Sequence, residues 1–324
     1  MVAGVLIGPA HLGLRDTVDA LLARLPFLHV RSPLDATQGS ILWSLRVPRV
    51  VLGALVGGML AVAGAAYQGA FRNPLADPYL LGAAAGAELG ATLAIALAPG
   101  STVLGVNLVP VAAFAGALLA VAGAYALGRT VRGAGGATTL ILAGVAIAAF
   151  LNAVQTFVQQ RDATSFREVY SWILGHLVTA GWQGVWLVLP YIGVSVAVIV
   201  AHRRLLDLLS LGDDEVASLG VSPRRVRLVV VAAATVGTAA AVAVGGTIAF
   251  VGIIVPHTVR LLAGRSYRIV IPLSLLLGGA FLVFADTLAR TIASPAEVPI
   301  GVITAFAGAP FFLVVLRSTR MVDP

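Results

Sequence analysis

A chain of 324 residues that is 59% hydrophobic and only 11% charged, with a mean hydropathy of +0.98, lies far from soluble domains, where roughly a quarter of residues are charged. That excludes an ordinary soluble fold and makes this an all-α polytopic membrane protein. The formal charge of +7 rests on arginine alone, because the sequence holds no lysine and therefore no Walker A loop; such a loop needs Gly-Lys-Ser/Thr to hold phosphates, so any ATP used must be bound by another subunit. The absence of cysteine excludes disulfides and thiolate metal sites, and the positive balance reads as membrane orientation, with no nucleic-acid partner.

Met1 to Ala10 is apolar but reaches only about half of the ~20 residues that a span requires. From Arg15 to Leu28, Val18, Leu21, Leu22 and Leu25 recur at helical spacing beside Asp16, Asp19 and Arg24, which predicts a short amphipathic helix at an interface. Neither a signal peptide nor a full first span is present, so the reading expects a truncated start.

Full-length spans follow at 48–69, 79–98, 108–128, 138–159, 184–201, 227–246, 248–263, 270–290 and 299–316, giving nine plus the remnant of a tenth. The stretch 248–263 is short and contains Pro256, His257 and Arg260, which predicts a broken helix packed inside protein. Gly53 and Gly57, and then Gly82, Gly86 and Gly90, repeat at intervals of four and predict close helix packing.

Embedded polar groups are few. Glu88 is read as lying near a helix end or bonded to a neighbouring helix. Asn152, Gln155 and Gln159 share a helix face after Thr138 and Thr139; lining of a wet cavity and helix-to-helix hydrogen bonding stand level. Trp172, Trp182 and Trp186 bracket 161–183 as an interfacial belt. The five histidines are scattered, and neither HExxH nor GxSxG occurs, so no catalytic cluster is expected.

Between two spans, Leu205 to Val221 is a polar island. Asp207, Asp213, Asp214 and Glu215 are too close together for lipid. Asp213 and Asp214 fall where a helix start favours negative charge, Gly220 where it would stop, and Pro223 lies just beyond. On the residues alone a solvated loop and a docking element stand level. Placing the island in the cytosol puts thirteen of the 21 arginines on that side and eight on the other, which agrees with the positive-inside bias.

The blocks RVPRVVLGALVGGMLAVAGAAYQGAFRNPLADPYLLG (46–82), LILAGVAIAAF (140–150), YSWILGHL (170–177), LSLGDDEVASLGV (209–221), GTIAFVGIIVPHTVRLLAG (246–264) and AEVPIGVITAFAGAPFFLVVL (296–316) resemble permease subunits of ABC importers for iron-siderophores, haem and cobalamin, the type II importer family. The resemblance implies one transmembrane permease domain over 1–324, of about ten helices, set in the cell membrane. It implies a second permease copy or paralogue, two cytosolic ATPase subunits that use ATP and Mg, and an extracytoplasmic substrate-binding protein. This chain would bind no cofactor or metal and would catalyse nothing itself.

Within that family 205–223 holds the coupling helix that meets the ATPase, here Leu211, Gly212, Asp213, Asp214, Glu215, Ala217, Leu219 and Gly220. Arg46, Arg49 and Arg290 match positions that dock the binding protein, against a plainer reading as interfacial snorkelling. Thr138 and Thr139 match a narrowing of the path, with Asn152 and Gln155 beyond them, against a plainer reading of the threonines as helix caps. Iron-siderophore is the first cargo expected, then haem or cobalamin; an ion-coupled secondary transporter is the alternative.

Overall fold

The structure, a computed structural model, describes residues 2–8, 13–24, 32–103, 105–130, 137–161, 165–177 and 181–320. Two short helices open the chain, α1 (Val2–Leu6) and α2 (Leu14–Leu22). The latter is the predicted amphipathic helix, which the sequence carried on to Leu28; 25–28 lie outside the described residues, as do Arg31 and Arg132 of the arginine count. Helix α3 (Ala36–Ser40) begins at a capping box, in which Asp35 accepts from the Gln38 amide and Gln38 reaches back to the Asp35 amide. A π turn over Ile41–Arg46 joins it to α4 (Val47–Phe71).

The chain continues through a 3₁₀ turn (Pro78–Leu81) into α5 (Ala83–Leu97), a two-stranded hairpin of β1 (Thr102–Val103) and β2 (Val106–Asn107), α6 (Leu108–Thr130), α7 (Ala137–Arg161), and α8 (Phe166–Ile173). There follow α9 (Trp182–Leu209), α10 (Asp213–Ser218), α11 (Pro223–Gly245), α12 (Val251–Ala263), α13 (Tyr267–Thr291) and α14 (Ile300–Arg320). Six helices among the described residues are long and apolar enough to cross a membrane, and α5, α12 and α14 are shorter apolar helices. Each of the nine spans expected from the sequence therefore holds an apolar helix, of full spanning length in six and shorter in α5, α12 and α14.

The bundle is built around α4. In Ala36–Phe71 the apolar window is 83% buried, against 17% in α7, so α4 is the axis and α7 lies at the periphery. Small residues make the centre possible. Gly57 packs on the backbone of Gly278 in α13, and Gly86 and Gly90 of α5 pack on Gly116 and Ala112 of α6. Gly82 departs from the expected stripe: at φ +84 it is the left-handed residue between the 3₁₀ turn and α5, where a side chain would be strained.

Helix α12 is the broken span. Gly246, at φ +69, ends α11, and residues 247–249 run without helical bonds until Phe250, also at φ +69, starts α12. Irregular backbone inside a bundle must find partners in protein. Tyr79 Oη accepts from the Ile248 amide at 3.3 Å and lies 3.2 Å from the Ile248 carbonyl, to which it donates; the His176 amide donates to Gly245 O, and the Gly301 amide to Leu174 O. Pro256 then removes the bond that Gly252 O would receive within α12. Gln68 of α4 supplies it, donating Nε2 to Gly252 O at 3.0 Å.

Gly64 is the point of closest approach between these two helices, since a Cβ there would fall on the Gly252 carbonyl. Gly64→Ala is expected to cost about 1–3 kcal/mol through overpacking and to displace the acceptor of Gln68. Gly193→Ala, with open space around it, is expected to leave stability unchanged or slightly raised. Thermal unfolding of the purified variants measures the contrast.

Candidate functional site

The bundle has two charged ends, and α4 connects them. At the first, Arg46, Arg49 and Arg290, expected from sequence as displayed docking side chains, come together as a buried network. Arg46 is 5% and Arg290 3% exposed. Arg49 grips Asp286 through Nε at 3.0 Å and Nη2 at 2.8 Å, and meets Glu297 through Nη1 at 3.0 Å and Nη2 at 2.9 Å. Arg290 Nε pairs with Asp286 one turn back, at 3.1 Å.

The physical cause is Asp286, 1% exposed within α13, because a buried carboxylate requires cations. The other hydrogens of the arginines serve the carbonyls at the end of α1, which the helix itself leaves unsatisfied. Arg46 Nη1 donates to Val5 O and Leu6 O, and Arg290 Nη2 to Gly4 O. Sequence reasoning missed Asp286 and Glu297. The signal was there: an acid in FLVFADTLAR with an arginine four residues on is an intrahelical pair.

At the opposite end stands α10. Gly212 precedes it, Asp213, Asp214 and Glu215 fill its first turn, and Gly220 (φ +79) ends it in a Schellman arrangement, Val221 N to Val216 O and Gly220 N to Ala217 O. Pro223 opens α11 after the Ser222 cap. The three acids have different tasks. Asp213 accepts Nη1 of Arg227 at 2.7 Å and pairs with Arg72 at 3.3 Å, while Arg227 Nε also holds Ala70 O at the end of α4, at 2.8 Å.

Val216 is fully buried beneath the short helix, whereas Leu211, Asp214, Glu215, Ala217, Leu219 and Gly220 are exposed. Leu211 and Leu219, at 59% and 60% exposure, are large apolar side chains flanking two free carboxylates. Asp207, from the same polar island, turns inward and accepts from Ser266 Oγ and the Tyr267 amide at 2.8 and 2.7 Å.

The Arg227 hydrogen bonds hold the Asp213 carboxyl below its ordinary value. A depressed folded-state pKa stabilises the fold above the unfolded value and loses that contribution as pH falls through the depressed one. Protection of α10 amides in hydrogen exchange, corrected for intrinsic rates, is therefore expected to persist through the range where free carboxylates titrate and to fall below it. Asp213→Asn is expected to show the lowered protection at every pH.

The pathway candidates do not gather into one cluster. Thr138 is exposed and Thr139 half-buried, both in the first turn of α7. Asn152 is exposed, whereas Gln155 is 6% exposed against the bundle, so the polar stripe straddles the edge of the packed face. Leu142, Val145, Phe150 and Phe157 of the same helix stand exposed. Glu88 is half-buried within α5. Among the described residues no cluster of His, Cys, Asp and Glu could hold a metal ion.

Comparison with known proteins agrees with this architecture. The chain is 46% identical over 285 residues to the cobalamin import system permease protein BtuC of Halobacterium salinarum, covering 88% of this chain and 75% of that one. It is 37% identical over 316 residues to the iron(3+)-hydroxamate import system permease protein FhuB of Bacillus subtilis, covering 97% and 79%. An inward-facing metal-chelate-type ABC transporter superposes with a TM-score of 0.81 at 26% identity, over 98% of both chains. Residues 1–318 match the family model described as the FecCD transport family. With nine apolar helices among the described residues, α4 the most buried of the six long ones, and a match over almost its whole length, this multi-pass protein of the cell membrane belongs to the FecCD transport family of permeases.

Proposed function

We propose that the chain is the membrane subunit of an ATP-driven importer that passes a metal chelate from an external binding protein to the cytosol. The observation that carries this reading is α10: a helix of under two turns, fixed from beneath by Val216 and from the side by Arg72 and Arg227, that presents Leu211, Leu219, Asp214 and Glu215 outward. A rigid ledge of that kind suits a reversible partner. Two ATPase subunits binding ATP and Mg would press on it, and closure of that pair would rock the helices between two arrangements.

A second permease copy would cover the exposed apolar side of α7, and the network of Arg46, Arg49 and Arg290 would meet acidic groups of the binding protein chiefly through Arg49, whose partly exposed partner Glu297 they would displace. Charge pairs of this kind steer encounter and register more than they add affinity. Thr138, Thr139, Asn152 and Gln155 would line the path between the two copies. The identity to a cobalamin permease exceeds that to an iron-hydroxamate permease, which supports testing cobalamin alongside the iron-siderophore expected from sequence.

The test is ATP hydrolysis by this chain reconstituted in lipid with its candidate ATPase and binding protein, with and without each chelate. Stimulation that requires both the binding protein and one chelate supports the reading and names the cargo. Hydrolysis indifferent to all chelates in an assembled complex overturns it.

A further inference from the structure

Beside α10 lies a cavity of about 230 Å³ walled by Gln68, Gly69, Arg72, Asn73, Pro74, Leu206, Ser210, Arg260 and Tyr267. Two of the lining residues are arginines, and none is an acid. Arg260 donates Nη1 to Gln68 Oε1 at 2.6 Å, and its Nη2 is buried without a hydrogen-bond acceptor among the described residues. The ring of Tyr267 lies 5.6 Å from the guanidinium carbon. Asp207, the nearby acid, is committed to Ser266 and the Tyr267 amide. Arg72 leans the other way, onto Asp213 of α10.

A half-buried cation such as Arg260 with an enclosed, unused donor is costly unless an anion or acceptor meets it. Here Arg260 lines a cavity together with a second arginine, and the volume exceeds several times the ~30 Å³ share of one water. Arginine pairs are suited to phosphate, whose oxygens accept from planar guanidinium groups.

We infer that this cavity binds a phosphate-bearing anion, held by Arg260 and Arg72. The anion is either a lipid headgroup or a soluble phosphate compound. Because Arg72 also pairs with Asp213, an occupant that draws Arg72 inward changes the support of α10, which makes the cavity a place where anion occupancy and the coupling surface are linked.

The experiment uses the full chain in nanodiscs of phosphatidylcholine, with and without phosphatidylglycerol, and with inorganic phosphate or pyrophosphate added to the neutral discs. Thermal unfolding and native mass spectrometry of bound lipid are the readouts. Tm raised by phosphate or pyrophosphate in neutral discs, with saturation, identifies a soluble anion; one phosphatidylglycerol retained per chain, without a phosphate effect, identifies a headgroup. Arg260→Gln is expected to weaken either about tenfold or more, and Arg265→Gln, at an exposed arginine that is not among the lining residues, to change neither.

Should Arg260→Gln not fold, Ser210→Glu answers the same question, since it places a carboxylate at the exposed rim of the cavity and is expected to abolish binding with the bundle intact. No effect of either anion on the wild-type chain, or equal effects in Ser210→Glu and Arg265→Gln, overturns the inference.

Discussion

Reversal of Asp214 and Glu215 together to arginine is expected to drop binding-protein-stimulated ATP hydrolysis to the unstimulated rate, while thermal unfolding of the isolated permease stays unchanged. Both carboxylates are exposed and make no ion pair shorter than 4 Å among the described residues, so inside the permease their sign acts only on the N-terminal end of the α10 dipole, a local effect of about 0.3–1 kcal/mol per charge. If each meets a cation on the ATPase, its loss costs about 2–5 kcal/mol of docking, most of it from the partner charge left unpaired. Leu211→Ala and Leu219→Ala should each weaken assembly as well, by about 1–2 kcal/mol of lost apolar burial. Asp213→Arg is the contrast. It sets a third guanidinium against Arg72 and Arg227 and is expected to dislodge α10 itself, seen as lost amide protection and not as a docking defect in a folded ledge. Full stimulation in the Asp214→Arg/Glu215→Arg protein would remove α10 from the coupling role.

That division among three adjacent acids shows where sequence reasoning stops. Composition and spacing placed all three outside the hydrocarbon, because embedded charge is too costly for any other reading. Which of them faces inward is decided by Arg227, fourteen residues on, and by Arg72 at the end of a different helix, and no local pattern encodes that meeting. The nine apolar helices were legible for the same reason as the island, since length and hydropathy are properties of a segment alone. The broken span was legible from Pro256, His257 and Arg260, yet the break itself lies upstream at 246–250, where Tyr79 satisfies the backbone. The glycine stripe was right for Gly86 and Gly90 and misplaced for Gly82, whose left-handed backbone ends a turn that periodicity reads as helix. Arg46, Arg49 and Arg290 were singled out in the sequence as displayed side chains, and their burial was not legible, because the acid that collects Arg49 and Arg290 sits on α13, over 230 residues away from Arg49 in sequence.

The two ends are mechanically joined. Helix α4 carries Arg49 near one terminus and reaches Ala70 and Arg72 at the other, where Arg227 and Asp213 hold it. Its middle is locked by Gly57 on Gly278 and Gly64 on Gly252. A displacement imposed on α10 is therefore received by the most buried helix of the bundle, and close backbone packing of this kind transmits strain more readily than it absorbs it.

The same argument gives Asp286→Asn the largest expected effect on stability of any single change here. Asp286 is the carboxylate shared by Arg49 and Arg290, so its loss leaves Arg49 with Glu297 and Arg290 with no carboxylate within 4 Å among the described residues. Removing one partner of a buried pair costs about 3–5 kcal/mol because the remaining charge stays buried without compensation. Glu297→Gln should cost far less, since Glu297 is a third exposed and water screens what it leaves. Two features separate this account from a general loss of packing. Asp286→Asn combined with Arg290→Gln should recover part of the stability, because the second change removes an orphaned cation, giving a coupling energy of opposite sign to the single losses. Hydrogen exchange should also rise first in α1, whose terminal carbonyls are held by Arg46 and Arg290, before the core of α4 responds. An Asp286→Asn protein as stable as the wild type, or a double variant weaker than either single one by the sum of both, would show that the arginines at this end are stabilised by something other than Asp286.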